Sequence, residues 1–240
     1  MTMQQMLAMC SGLWLAYTVG GAILLVVAGI VLTGTRSVWL LAQASAEVSK
    51  LTVVETPPRV SRLAMDLGVG RLVCVEGTSP VAFCAGGLHP SVYVSEGLAV
   101  ALDDAELEAV LLHEHDHLHR REPLRRAVRR AATWGFFYIP ILRWWGRYQA
   151  DRSELRADRL ALSRVTPQVL ARALLRADWA TPSLHAATAF AGAAEARVAQ
   201  ILGDPLPPSR PGRRLWALSV AGIGLALWAT DCAGGMLIIG

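Results

Sequence analysis

Two long runs of apolar residues frame a more mixed middle. From residue 13 to 32 no side chain is charged, and twenty residues at 1.5 Å each span a hydrocarbon core of ~30 Å. A transmembrane helix is predicted there. A cleaved signal peptide competes with this reading, but no basic residue precedes the run and it is longer than an ordinary signal core. A second apolar run starts at Leu215 and reaches Ala229, predicting another span with Asp231 near the far interface, where a charge costs less than at mid-membrane. The apolar stretch 39–43 is too short to cross, so it extends the first helix or lies at the interface. A third patch, 131–145, contains Pro140 and Arg143 and is again too short and broken, which predicts a re-entrant or interfacial hairpin segment over 131–146 leading towards Glu154. Trp134, Trp144 and Trp145 suit such an interface.

Between these runs the spacing changes to that of a folded domain. Asp103 and Glu106 form a capping-box pattern, and Leu107, Val110, Leu111 and Leu118 recur at three and four residues, predicting a helix ended or kinked by Pro123. A further helix is expected over about 146–165, and Thr166-Pro167 starts another. Short β-type runs stand at 72–75, 81–83 and 92–94. Pro57-Pro58 and the Pro-rich stretch 204–212 mark boundaries. The resulting division is a membrane anchor with a juxtamembrane helix over 1–56, a central domain over 57–204, and a linker with a last transmembrane helix over 205–240. The fold class expected is a mainly α membrane protein with a small β-sheet or hairpin.

Charge adds orientation and removes one class of partner. Arg36 and Lys50 follow the first run, whereas Arg210, Arg213 and Arg214 precede the last, so the middle is expected to face the cytoplasm. Arginines at 120, 121, 125, 126, 129 and 130 lie next to Trp-rich apolar sequence and are expected to meet anionic lipid headgroups. A net charge of +4 is modest and no nucleic-acid fold signature is present, so no direct nucleic-acid partner is expected. The four cysteines, at 10, 74, 84 and 232, have no metal-ligand spacing and are read as free.

The candidate chemistry is concentrated in His113-Glu114-His115-Asp116-His117. His113 and His117 are four residues apart, so both imidazoles can reach one ion from one helix face, with Glu114 beside them as a general base. A solvated histidine cluster is the alternative. His115 and His119 offer a second register with Asp116 between them, but that carboxylate is one methylene shorter and poorly matched to a base's reach. A catalytic zinc site needs a third ligand. Arg120 and Pro123 stand where an extended motif would have Gly and a third His, so the ligand must come from elsewhere. Glu154 is the candidate, with Asp158 on the same helix face to orient His113 or His117 through the ring nitrogen that the metal does not use. An ordinary salt-bridged surface with Arg152, Arg156 and Arg159 is the competing reading.

Taken together, these segments resemble the membrane zinc metallopeptidases of family M56, the BlaR1/MecR1-type sensors, with the HtpX/Ste24-like peptidases of family M48 as nearest relatives. The likeness covers roughly 59–202. It is carried by Ala82-Phe83-Cys84-Ala85-Gly86-Gly87, by Pro90 to Val94, by residues 106–112 running into the histidines, and by His119 to Leu124, where Glu122 replaces the Asp of many relatives. Phe136 to Pro140 with Trp144-Trp145, Glu154 to Asp158, and Glu195-Ala196-Arg197-Val198 with Ile201-Leu202 complete it. The resemblance implies a gluzincin-type domain flanked by transmembrane helices, holding one Zn2+ on His113, His117 and Glu154, with Glu114 catalytic and Asp158 behind the ligands. It implies a zinc-activated water cutting peptide bonds of a protein or peptide substrate, such as a cytoplasmic repressor or a membrane protein, at the plasma membrane in a multi-pass chain whose catalytic domain faces the cytoplasm. An HtpX-like quality-control protease and a catalytically inactive membrane adaptor are the alternatives. Lys50 is the only lysine and no S-x-x-K pattern occurs, so the chain carries no penicillin-binding serine centre.

Overall fold

The computed structural model describes residues 3–177 and 190–239. In chain order the elements are α1 (Met3–Val48), β1 (Val53–Val54), α2 (Pro58–Asp66), β2 (Leu72–Val75), β3 (Ala82–Ala85), β4 (Ser91–Ser95), α3 (Glu96–Ala101) and α4 (Asp104–His119). These are followed by α5 (Glu122–Gly135), α6 (Ile141–Leu162), α7 (Pro167–Arg176), α8 (Phe190–Leu202) and α9 (Arg213–Ile239). The chain is mostly helical with one small sheet. Contacts divide it into one unit of Met1–Ser37, Val128–Gly146 and Arg210–Gly240, and another of Val38–Ala127 and Arg147–Ser209.

The first unit is built from apolar helix. Ala16–Val48 and Arg213–Cys232 are long and apolar enough to cross a membrane, and Ile23, Leu24, Ile30, Trp216, Val220 and Trp228 are exposed along them. The stretch 39–43 continues α1 without a break. The patch 131–145 is the end of α5, a turn over 136–140 and the start of α6. That turn packs on glycines. A Cβ at Gly29 would meet the Phe136 ring at 2.4 Å, and one at Gly222 would meet the Tyr138 carbonyl oxygen at 2.0 Å, the close approach that small residues allow between apolar helices. The Ile141 N–H donates to Ser219 Oγ at 3.0 Å, and the Arg36 guanidinium lies 5.8 Å from the centre of the Trp134 ring.

The second unit holds the sheet, in the order β1-β2-β4-β3, with β2 and β4 parallel and the other pairs antiparallel. Val92 and Val94 alternate inward on β4 and join Leu98, Leu107, Leu111 and Leu170 in the core. All three sequence-expected β runs are strands, within one or two residues of their expected bounds. The two-residue β1 is additional, too short to give a periodic signal.

Helix α4 runs through this core. Leu107, Ala109, Val110, Leu111, Leu112 and His113 are all buried, so the helix has almost no solvated side. Its start is the capping box: the Glu106 N–H donates to Asp103 Oδ1 at 2.8 Å, and the Asp103 N–H donates to Glu106 Oε2 at 3.2 Å. Glu106 is 0% exposed and also accepts from Arg172 Nε at 3.0 Å and Arg176 Nη1 at 2.9 Å, which ties α4 to α7. At the other end α4 stops at His119, Arg121 turns the chain with φ of 51°, and Pro123 falls in the first turn of α5. There its missing N–H costs nothing; the break precedes the proline. Cys74, Cys84 and Cys232 are free, and the side chain of Cys10 lies outside the described residues.

Because Glu106 has no solvent access, its charge depends on the two arginines. Replacing both, as Arg172→Met with Arg176→Met, should strand a buried carboxylate and destabilise the chain by about 3 kcal/mol, while either single change leaves one partner and costs about 1 kcal/mol or less. Urea unfolding of the detergent-solubilised chain measures this, and a double variant as stable as the wild type would contradict it.

Candidate metal centre

Four helical residues of α4 and α6 converge on one point in the second unit. His113, Glu114 and His117 are buried on α4, and Glu154, 21% exposed, projects from α6. His113 Nε2 and His117 Nε2 lie 3.0 Å apart. Glu154 Oε2 is 3.4 Å from the first, and Glu154 Oε1 is 3.6 Å from the second. Three donors sharing one tetrahedral ion at zinc-ligand distances would stand roughly 3.3 Å from one another, so the three can hold a single cation. They are also the one group of three metal-capable side chains found among the described residues.

The far side of His113 is fixed. Its Nδ1–H donates to Asp158 Oδ1 at 3.0 Å, which leaves the lone pair on Nε2, facing the cluster. Asp158 is fully buried and is itself gripped by Arg197, whose Nε and Nη2 donate at 2.6 and 2.7 Å. Burial alone would raise the Asp158 pKa, but the His113 bond and the Arg197 fork outweigh it and hold the carboxylate below its ordinary range. Arg197 also reaches Glu154 Oε2 at 3.6 Å.

The titrating groups are pushed in different directions by the same burial. On His117 burial dominates and lowers the pKa to about 3, so the ring is neutral and its Nε2 can act as a ligand. On His113 burial acts downward too, but the hydrogen bonds to Asp158 and then Glu154 prevail and raise it. Glu154 stays anionic: burial works against its charge, and the His113 hydrogen bond and the charges nearby overcome that. Glu114 responds the opposite way, with burial raising its pKa to about 7. Its Oε2 is buried and has no hydrogen-bond partner among the described residues. A carboxylate near neutrality with a vacant acceptor can take and return a proton. Two imidazoles, one carboxylate and this orphaned oxygen fit a catalytic zinc set, which has three protein ligands and an open position.

The second register diverges from this cluster. The His115 and His119 rings pair with each other, centroids 4.1 Å apart. Asp116 is held by Arg120 Nε and Arg156 Nε, both at 3.0 Å, so it links α4 to α6. The competing reading, a salt-bridged surface of Arg152, Arg156 and Arg159 around Glu154 and Asp158, has no ion pair to carry it among those found in the described residues: Arg156 turns to Asp116, and Arg152 donates to the Tyr148 hydroxyl at 2.7 Å. The cations that do meet the pair are Arg197 and Arg126, the latter 3.5 Å from Glu154 Oε1. Neither could be found by spacing. Arg197 is 39 residues from its partner, and Arg126 is hidden in a run of similar residues.

Residues 60–176 match the profile of Peptidase family M48. A 74-residue stretch is 36% identical to the Protease HtpX homolog of Acidiphilium cryptum (strain JF-5). That alignment takes in 29% of this chain and 26% of the relative, so the chain spans about a quarter of that protein's length. Both matches support a zinc metallopeptidase of the M48 type. Both fall on the M48 side of the expected likeness; neither is to M56.

Asp158 sets the His113 tautomer and orientation, so Asp158→Asn should weaken zinc binding 10- to 100-fold, read by competition with a chromophoric chelator. Unchanged affinity would show that the hydrogen bond does not position the ligand.

Proposed function

We propose that the chain is a membrane-anchored zinc endopeptidase in which His113, His117 and Glu154 hold the metal, Asp158 orients His113 and Glu114 is the general base. The observation that carries this reading is the buried, unpartnered Glu114 Oε2 next to a triangle of donors 3.0 to 3.6 Å apart. When bound, zinc supplies Lewis acidity, acidifying the attacking water and polarising the scissile carbonyl. Glu114 takes the proton of that water and passes it to the departing amine. His117 contributes a neutral Nε2; on His113, Asp158 with Arg197 holds the Nδ1 proton, and any proton on Nε2 would give way to the metal. An inactive adaptor would have no use for a buried carboxylate held near neutrality.

The setting proposed is the plasma membrane, crossed by α1 and α9. Arg36 and Lys50 after the first apolar run, with Arg210, Arg213 and Arg214 before the last, support a cytoplasmic position for the intervening chain. The substrate is a protein or peptide. The relative's description as an HtpX homologue favours a role in turnover of membrane or misfolded proteins at least as well as cleavage of a cytoplasmic repressor.

Glu114→Gln should retain one zinc per chain while casein cleavage falls by 10² to 10⁴-fold, and Glu154→Ala should lose the metal. Chelation should abolish cleavage in the wild type and zinc should restore it. Normal proteolysis by Glu114→Gln, or full zinc occupancy in Glu154→Ala, would overturn these roles.

A further inference from the structure

Hydrolysis of a peptide bond builds negative charge on the carbonyl oxygen, and metallopeptidase chemistry gains from a second positive group aimed at that charge. Two guanidinium groups face the Glu154 end of the cluster. Arg197 is committed: both arms of its fork are taken by Asp158, and it is only 13% exposed. Arg126 differs on both counts. Its side chain is 44% exposed, and its contact with the cluster is one long interaction, 3.5 Å from Nη2 to Glu154 Oε1. It stands one helical turn after the buried Glu122 on α5, so its guanidinium approaches the donor triangle from the side marked by Glu154 Oε1. A cation that touches one candidate ligand oxygen and keeps nearly half of its side chain in solvent can meet a substrate group entering at that edge of the donor triangle. Once a divalent ion takes up the charge of Glu154, the hold of that carboxylate on Arg126 weakens.

We propose that Arg126 is a catalytic residue, the group that donates to the developing oxyanion of the scissile carbonyl. This rests on the peptidase reading above. Water adds to the carbonyl carbon and the π electron pair moves onto oxygen, where the Arg126 N–H groups meet it, while the proton of the water goes to Glu114. Collapse re-forms the carbonyl, breaks the C–N bond and delivers that proton to the amine. Arg126 is chosen over its neighbours by geometry: Arg125, exposed on the same helix, makes no side-chain contact with the cluster among those found in the described residues.

The test uses the full chain in detergent, loaded with zinc, and a fluorogenic peptide capped at both ends, chosen from casein sites that the wild type cuts. Arg126→Gln should lower kcat by about 10²-fold with KM within twofold, keep one zinc per chain, and weaken binding of a phosphinic peptide of the same sequence by a similar factor. Arg126→Lys should recover part of the kcat, and Arg125→Gln should behave as the wild type. Unchanged kcat in Arg126→Gln overturns the proposal, as does an effect confined to KM for peptides with a free C-terminal carboxylate, which would make Arg126 a binding group for that terminus. Loss of zinc in Arg126→Gln would also overturn it, showing that the residue only supports Glu154. A wild-type chain that binds zinc but cuts neither casein nor any peptide fails at the earlier step and removes the peptidase reading itself.

Discussion

The hydrogen bond from His113 to Asp158 is the point on which the centre depends. It joins α4 to α6, and the Arg197 fork behind it adds α8, so three helices distant in sequence converge at one buried carboxylate. Without Arg197, Asp158 would be a desolvated charge with a single partner, an arrangement that burial penalises heavily. With it, the carboxylate stays ionised, His113 keeps its proton on Nδ1, and Nε2 is left facing His117 and Glu154. Asp116 with Arg156 adds a second tie between α4 and α6. The spacing of the three donors is therefore held by two ties between α4 and α6 as well as by the four-residue separation on one helix.

A helix as buried as α4 is an unusual place for a Glu-His-Asp-His sequence, and each polar group there is accounted for differently. Glu106 is satisfied by two arginines, Asp116 by two more, and His113 by a carboxylate. Three buried side-chain atoms of α4 have no partner among the described residues: Glu114 Oε2, His117 Nδ1 and His115 Nδ1. Two of the three, Glu114 Oε2 and His117 Nδ1, belong to residues at the donor cluster, and a buried polar atom without a partner there fits a place for a ligand or substrate atom. Desolvation that would be a defect elsewhere gives the Glu114 carboxylate a proton affinity near neutrality.

What could be read from the sequence was local. The capping box at Asp103 and Glu106, the alternation of Val92 and Val94, the Thr166 start of α7 and the apolar length of the two long helices all follow from spacing within a few residues, and the structure has each of them. A separation of four was enough to place His113 and His117 on one face. Long-range ion pairs left no such trace: Asp158 with Arg197, Asp116 with Arg156 and Glu106 with Arg176 are 39, 40 and 70 residues apart. The break in the patch 131–145 was legible from Pro140, and the structure has a turn there between two helices; the glycine contacts that seat Phe136 and Tyr138 left no local signal. The motifs around His113 and Glu154 are equally local, and they did not separate the M56 likeness from the M48 profile that residues 60–176 match.

The claim at the centre of this account is that His113, His117 and Glu154 bind one zinc ion. X-ray absorption at the zinc edge of the full chain, purified with one equivalent of metal, tests it most directly. The account predicts nitrogen and oxygen scatterers at about 2.0–2.1 Å with the outer-shell signature of two imidazoles, and no sulfur. A sulfur shell at about 2.3 Å, or a spectrum without imidazole scattering, would contradict it.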